Sequence, residues 1–290
     1  MDVAVIGAGT MGSGIAQVCA SAGHDVSLHD TSKEQLDRAV TAIRSSLDRF
    51  VAKNKLAADE AEKVLDRIAV VPRLADAVGA AHVVIESVVE LLDVKQDIFR
   101  SIVAAAPGDA LLGTNTSQLS VTGIGSAIGS DAARLVGLHF FNPPVLMRLV
   151  EIVCGLETSE STLERAVGFA AGIGKETVVC RKDSPGFLTS RISAIVRLEC
   201  LRMLEEGVAS AHDIDKALKL GLNFPMGPLE LGDFNGLDTY LHALEALTET
   251  YGERFRPTVT LRNLVAAGRL GRKTGSGIYQ YGADGRTTDA

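Results

Sequence analysis

The turn Gly7-Ala8-Gly9-Thr10-Met11-Gly12 constrains this chain more than any other segment. It follows the aliphatic run Val3-Ala-Val-Ile6 without a spacer, and after it residues 13 to 22 place Ile15, Val18 and Cys19 at helical spacing. Strand, glycine turn and helix in that order open a βαβ unit. The first glycine permits the tight turn, and the second lets backbone approach a pyrophosphate. The third lets helix pack on strand while the helix N-terminus faces the anion. A second strand, Asp25-Val-Ser-Leu-His-Asp30, ends in an acid about 20 residues on, where a carboxylate accepts hydrogen bonds from a ribose 2′-hydroxyl. Asp30 would repel a 2′-phosphate and Thr31-Ser-Lys-Glu supplies no arginine, so NAD is expected rather than NADP, with Lys33 the one nearby cation. The residues expected around the cofactor are Gly7, Ala8, Gly9, Thr10, Met11, Gly12 and Asp30.

Further aliphatic runs at 68–71, 82–86 and 110–114 alternate with helical segments at 73–78 and 94–106. That alternation predicts an α/β fold, a Rossmann-type doubly wound and mostly parallel sheet. The excursion from Ser32 to Arg67 is too long for a plain crossover. Leu36, Val40, Ile43, Leu47, Phe50 and Val51 keep helical spacing up to a break near Asn54, and a second helix spans 59–65. A helical hairpin inserted at about 33–67 and projecting from the sheet is expected. Its tip gathers Arg49, Lys53 and Lys55, which suits a phosphorylated handle; a solvated face of mixed charge is the other reading, since Asp48, Asp59, Glu60 and Glu62 lie near.

Near residue 183 the texture changes. Asp183-Ser-Pro185 reads as a helix start, and helical patterning dominates at 187–206, 211–219, 237–251 and 258–267, with 227–232 and 270–277 as turn-rich exceptions. Two domains are expected, an NAD-binding domain at 1–182 and an all-α domain at 183–290. A chain of 290 residues with 46% hydrophobic content can bury cores of that size, and its net charge of −7 disfavours nucleic acid and anionic membrane surfaces as partners. Cys19, Cys154, Cys180 and Cys200 show neither CxxC spacing nor histidines at ligand intervals, which argues against zinc and against a disulfide framework. No signal peptide and no apolar run of about 20 residues is apparent, so a cytoplasmic protein with no membrane span is expected.

The chemistry is expected at the strand ends. Leu135-Val-Gly-Leu-His139 and Leu149-Val-Glu151 set an imidazole and a carboxylate at the ends of two apolar runs. A carboxylate behind an imidazole stabilises the protonated ring and makes a base of it, although a histidine so placed also serves as an ordinary structural residue. Glu86-Ser-Val-Val-Glu90 with Lys95 follows one strand and Asn115-Thr-Ser117 another, both at the carboxyl edge where such sheets bind ligands. Ser117 also reads as a structural cap, and Glu90 with Lys95 as a surface pair.

Gly7-Ala-Gly-Thr-Met-Gly12-Ser-Gly14-Ile-Ala, Asn115-Thr-Ser117, Gly137-Leu-His139-Phe-Phe-Asn142-Pro143, Val150-Glu151, Asp183-Ser-Pro-Gly-Phe and Gly227-Pro-Leu-Glu-Leu-Gly-Asp233 together resemble the 3-hydroxyacyl-CoA dehydrogenase family. The likeness runs nearly end to end and is nearest to the short bacterial 3-hydroxybutyryl-CoA dehydrogenases. It implies oxidation of an (S)-3-hydroxyacyl-CoA to the 3-ketoacyl-CoA by NAD, or the reverse. On that pattern His139 takes the C3 hydroxyl proton and Glu151 holds its ring. Ser117 binds the C3 oxygen, and Asn142 lies against cofactor and substrate. Glu90, Lys95 and Lys273 match positions that contact NAD. Lys55, with Lys53 as second choice, matches a lysine that meets the CoA phosphates, and family members pair as homodimers through the helical domain. One departure stands out: the family's Val-Asn-Arg after Pro-Gly-Phe is replaced by Leu188-Thr189-Ser190-Arg191, so Ser190 takes the place of an active-site asparagine without its amide donor and acceptor. Two other readings accompany this one. A sugar-acid or other 3-hydroxy-acid dehydrogenase of the same fold is disfavoured by Phe140-Phe141 and the hairpin lysines; a weakly active NAD-binding interaction protein is kept open by Ser190.

Overall fold

Four consecutive apolar residues after Asp2 make β1 (Asp2–Ile6) a strand buried on both faces, and such a strand belongs inside a sheet with helices over each side. The structure is a computed structural model that describes residues 1–288. It divides into two units, Met1–Ser184 and a second from Pro185 onward.

In the first unit β1 is followed by α1 (Thr10–Ser21), β2 (Asp25–His29), α2 (Lys33–Ala52), α3 (Ala58–Asp66), β3 (Ile68–Val70), α4 (Leu74–Val78), β4 (Val83–Glu86) and α5 (Leu92–Val103). Then come β5 (Leu111–Thr114), α6 (Val121–Gly125), β6 (Leu135–Phe140), β7 (Leu149–Val153), α7 (Glu160–Gly172) and β8 (Glu176–Cys180). The strands form one sheet in the order β3-β2-β1-β4-β5-β6-β7-β8. Every neighbouring pair is parallel except β6 with β7, which run antiparallel with His139 level with Glu151. This is the expected Rossmann-type, mostly parallel sheet. The chain winds outward from β1 to β3, then restarts beside β1 with β4, so a crevice opens past the carboxyl ends of β1 and β4.

The helical hairpin is α2 and α3, but its root does not project. Leu36, Ala39, Ile43 and Leu47 of α2 and Ala61 and Val64 of α3 are buried in the same core as β1, β2 and α1. Their helical spacing forms one apolar stripe, and burying that stripe lays the hairpin on the domain. The tip, residues 52 to 55, is exposed throughout, and so are residues 57 to 60 at the start of α3.

The second unit contains α8 (Thr189–Glu205), α9 (Ala211–Gly221), α10 (Pro228–Asn235), α11 (Leu237–Tyr251) and α12 (Val259–Ala266) around a core that includes Leu198, Leu201, Leu229, Leu237 and Leu244. Two sequence expectations need correction here. Asp183-Ser-Pro185 does not start the helix: Gly186 and Phe187 have φ of +78° and +45°, left-handed backbone that delays α8 to Thr189. The Asp183 carboxylate instead caps α6 of its own unit, accepting hydrogen bonds from the Thr122 amide and the Ser120 hydroxyl at 2.7 and 2.6 Å. Residues 227–232, expected as a turn, begin α10. Pro228 enters its first turn, and the buried Asp215 accepts from the Leu229 and Glu230 amides at 2.9 and 2.8 Å, so the cap comes from another helix. No helix among the described residues is long and apolar enough to cross a membrane.

Candidate active site

The glycine turn lies at the crevice. Gly7 has φ of +101°, and a Cβ there would meet the Ser87 carbonyl oxygen at 2.4 Å, so glycine lets the end of β1 run against the end of β4. A Cβ on Gly12 would meet the Gly7 carbonyl oxygen at 1.8 Å, so this glycine lets α1 close onto the strand. Gly9 differs from both. A Cβ there would have nothing within 4 Å. The middle glycine therefore borders open space beside the first amides of α1, and that cradle fits a dinucleotide pyrophosphate.

Asp30, expected as the last residue of its strand, directly follows β2 and is half-buried. One of its oxygens accepts from the Ala8 amide and the other from the Ser32 amide, both at 2.9 Å. The carboxylate thus also fixes the glycine turn. Gln35, which sequence reasoning did not single out, completes the brace by donating to the Ala8 carbonyl at 2.9 Å. Thr10 is exposed and Met11 half-buried at the start of α1. Gly14, two residues beyond the turn, would place a Cβ 2.9 Å from Pro144, so α1 packs tightly on the loop that carries Asn142. Asn142 itself is exposed.

His139 and Glu151 face each other across the one antiparallel pair. The imidazole Nδ1 lies 2.6 Å from Glu151 Oε2, with His139 7% and Glu151 0% exposed. A buried carboxylate is an acceptor, so Nδ1 carries the proton and Nε2 is the basic nitrogen of the neutral ring. The Phe141 ring stacks obliquely on the imidazole, centroids 4.6 Å apart. Ring plane and tautomer are both set.

Ser117 follows β5, beside β6. The Asn115 side chain bridges the two sites, accepting from the Phe140 amide and donating to Ser87 Oγ, each at 3.1 Å. Sequence reasoning gave Asn115 no separate role. Glu90 receives the turn: its Oε1 accepts from the Thr116 hydroxyl, from the Ser117 amide at 3.0 Å and from the Gln118 amide at 3.3 Å. Lys95, expected at the cofactor, is wholly buried, with Nζ 2.7 Å from Glu86, 3.4 Å from Glu90 and 3.3 Å from the Asn115 carbonyl. Burial pushes the Glu86 carboxyl above its ordinary range, opposed by Lys95, Thr114 and the Val88 amide.

At the hairpin tip Lys53 and Lys55 are exposed. Three of the four acids that suggested a neutralised face have other partners: Lys63 pairs with Asp59 and Glu60, and Arg44 with Glu62. In the second unit Ser190 is half-buried in the first turn of α8, and Lys273 donates to both Asp238 oxygens at 2.7 Å, holding that carboxyl below its ordinary range.

Comparison with known proteins agrees with this geometry. Residues 2–184 match the 3-hydroxyacyl-CoA dehydrogenase NAD-binding domain and residues 186–281 the C-terminal domain of the same family. A probable 3-hydroxybutyryl-CoA dehydrogenase of Deinococcus radiodurans is 42% identical over 282 residues, covering 97% of this chain and 100% of that one. The human mitochondrial hydroxyacyl-coenzyme A dehydrogenase is 42% identical over 287 residues, covering 96% of this chain and 90% of that one. The crystal structure of (S)-3-hydroxybutyryl-CoA dehydrogenase from Ralstonia eutropha superposes with a TM-score of 0.93 at 39% identity, covering 97% and 99% of the two chains. The chain is a dehydrogenase built on a Rossmann-type domain followed by a helical domain. It belongs to the 3-hydroxyacyl-CoA dehydrogenase family, whose members oxidise 3-hydroxyacyl-CoA thioesters with NAD.

Proposed function

We propose that this enzyme interconverts short-chain (S)-3-hydroxyacyl-CoA and 3-ketoacyl-CoA, with 3-hydroxybutyryl-CoA the representative substrate. The buried 2.6 Å contact between His139 and Glu151 carries the reading. His139 Nε2 takes the C3 hydroxyl proton, and the Glu151 carboxylate stabilises the imidazolium that results. Bound NAD supplies the hydride acceptor. Ser117 donates to the C3 oxygen as it becomes a carbonyl, and Asn142 orients the reacting groups. In the reductive direction the imidazolium returns the proton to the same oxygen.

The glycine turn and Asp30 are assigned to the dinucleotide, with NAD preferred to NADP because Asp30 is an acid. Glu90, Lys95, Ser117, Asn142 and Lys273 are the further cofactor positions implied by the family pattern, and Ser190 stands where an asparagine would meet the substrate. Lys55, with Lys53, is assigned to the CoA phosphates, supported by the pairing of Asp59, Glu60 and Glu62 with other cations. A cytoplasmic homodimer joined through the helical unit completes the proposal. NADH oxidation with acetoacetyl-CoA, run beside free acetoacetate, tests it. Turnover of the thioester alone is expected; turnover of the free acid but not the thioester refutes the assignment.

A further inference from the structure

The loop between β6 and β7 carries Asn142, and little of it is buried. From Asn142 to Arg148 only Pro144 is buried and Val145 half-buried, while the other five residues are exposed. A segment with so few packed side chains depends on hydrogen bonds to its backbone for a fixed shape. The loop closes one turn of its own, the Pro143 carbonyl accepting from the Leu146 and Met147 amides at 3.0 and 3.1 Å. The Pro144 ring lies on α1 at Gly14, where a Cβ would come within 2.9 Å of it. The remaining hold comes from one side chain: Lys175 Nζ donates to the Pro144 carbonyl at 2.6 Å and to the Met147 carbonyl at 2.7 Å.

Lys175 is placed there by the end of α7. Leu163, Ala166, Phe169 and Ala170 bury that helix in the core of the first unit, and Gly174, with φ of +74°, terminates it. The Gly174 amide donates to the Ala171 carbonyl at 3.0 Å and the Lys175 amide to the Ala170 carbonyl at 2.9 Å, the paired bonds of a glycine helix stop. Glu176 then opens β8, its amide donating to the Arg148 carbonyl at 2.9 Å. The Lys175 backbone is thus fixed by a helix stop before it and a strand pairing after it. Its side chain also differs in its acceptors, since Lys63, Lys219 and Lys273 each reach a carboxylate whereas Lys175 reaches two carbonyls of one loop. Burial lowers the proton affinity of this amine, so the site opposes the charge it holds.

We propose that Lys175 is a positioning residue for the reaction at C3: it clasps the turn at Pro144 and Met147 and so holds Asn142, just ahead of that turn, where it orients the reacting groups. The inference rests on the role proposed above for Asn142. Misplacement of a reacting group by about 1 Å costs on the order of 10²-fold in rate, which sets the scale of the effect.

The test is a double-mutant cycle of Lys175→Met and Asn142→Ala in acetoacetyl-CoA reduction, followed with NADH and with NADH deuterated at the transferred position. Lys175→Met keeps most of the apolar stem and removes the donors. Alone it should lower kcat by about 10- to 100-fold, with NADH affinity within about threefold of wild type and a larger isotope effect as hydride transfer becomes limiting. In the Asn142→Ala background the same substitution should cost less than about threefold, because the group it positions is gone. A loss below about tenfold in the single variant overturns the proposal. So does an equal loss in both backgrounds, which would mean a general structural role that does not pass through Asn142. If Lys175→Met does not fold, Lys175→Gln is read by the same two criteria. The levels of failure separate: a wild type inactive on the thioester refutes the functional reading, and Asn142→Ala with wild-type kcat refutes the role of Asn142, each taking this inference with it. An active wild type and an impaired Asn142→Ala beside an unimpaired Lys175→Met refute only the role of Lys175.

Discussion

The two glycines at Gly9 and Gly12 make opposite predictions for the same substitution. Gly9 has φ of −67° and ψ of −171°, a conformation alanine adopts without strain, and its missing Cβ borders open space. Gly9→Ala therefore folds, and a less flexible unfolded chain stabilises it by about 0.4–1 kcal/mol. The added methyl stands where backbone must approach the pyrophosphate. Overpacking of that kind costs about 1–3 kcal/mol, which is roughly 5- to 150-fold in NADH dissociation constant. Gly12→Ala meets the Gly7 carbonyl oxygen at 1.8 Å, and both atoms belong to backbone, so the helix or the strand end must shift. Its expected effect is a loss of about 1–3 kcal/mol of stability. Thermal unfolding without cofactor and NADH fluorescence titration read the two effects apart. Gly9→Ala with unchanged NADH affinity, or Gly12→Ala with wild-type stability, would refute the assignment of these glycines.

Three further outcomes are expected. Glu151→Gln keeps an acceptor for His139 Nδ1 but removes the charge behind the imidazolium, so kcat should fall by about 10²-fold or more, as for His139→Gln, with NADH affinity nearly unchanged in both; a loss below about tenfold in steady-state assays removes the pair as the base. Asp30→Ala should weaken NAD binding and narrow the preference over NADP, read as the ratio of kcat/KM for the two cofactors; a constant ratio contradicts its role at the ribose. Burial lowers the proton affinity of the His24 imidazole, helped by the N-terminal ammonium and opposed by Asp25. The fold thus favours the neutral ring, a stability present above the ordinary value of 6.5 and lost as pH falls through the lowered one. The fall in Tm between about pH 8 and pH 5 should be shallower in His24→Phe, and equal slopes in a thermal scan exclude this source.

Much of the site could be read from the chain because its signals are local. Gly7 to Gly12 follow a strand directly; Gly12 answers to a clash with Gly7 five residues back and Gly9 to an opening, whereas the clash that requires Gly7 comes from Ser87 at the end of another strand. The pairing of His139 with Glu151 required more, namely that β6 and β7 run antiparallel, and the short connection of 141–148 between two apolar runs permits that. Once they pair in that direction, the register sets the two side chains opposite each other. The cap of α10 was not legible, because Asp215 lies on another helix and nothing in the spacing from Asp215 to Leu229 announces their bond. The packed root of the hairpin had a signal in Leu36, Ile43 and Leu47, whose stripe must find an apolar surface.

Lys95 is the instructive case, since its sequence context contained the answer and the usual weighting of lysine concealed it. Spacings of four and seven residues separate it from Phe99 and Ile102, which places all three on one face of α5. A lysine at such a position has two options, to extend its stem until the ammonium reaches water or to stay buried beside anions. Helix periodicity cannot choose between them, because the choice depends on what the next strands bring. Here β4 ends in Glu86 and its following loop brings Glu90. Both acids were visible at a strand end, and so was the lysine on an apolar stripe. A cation on a buried face, read together with acids at the adjoining strand end, is the pattern that separates this cluster from a surface ion pair. It also locates the cluster beside the turn that presents Ser117, whose amide donates to Glu90.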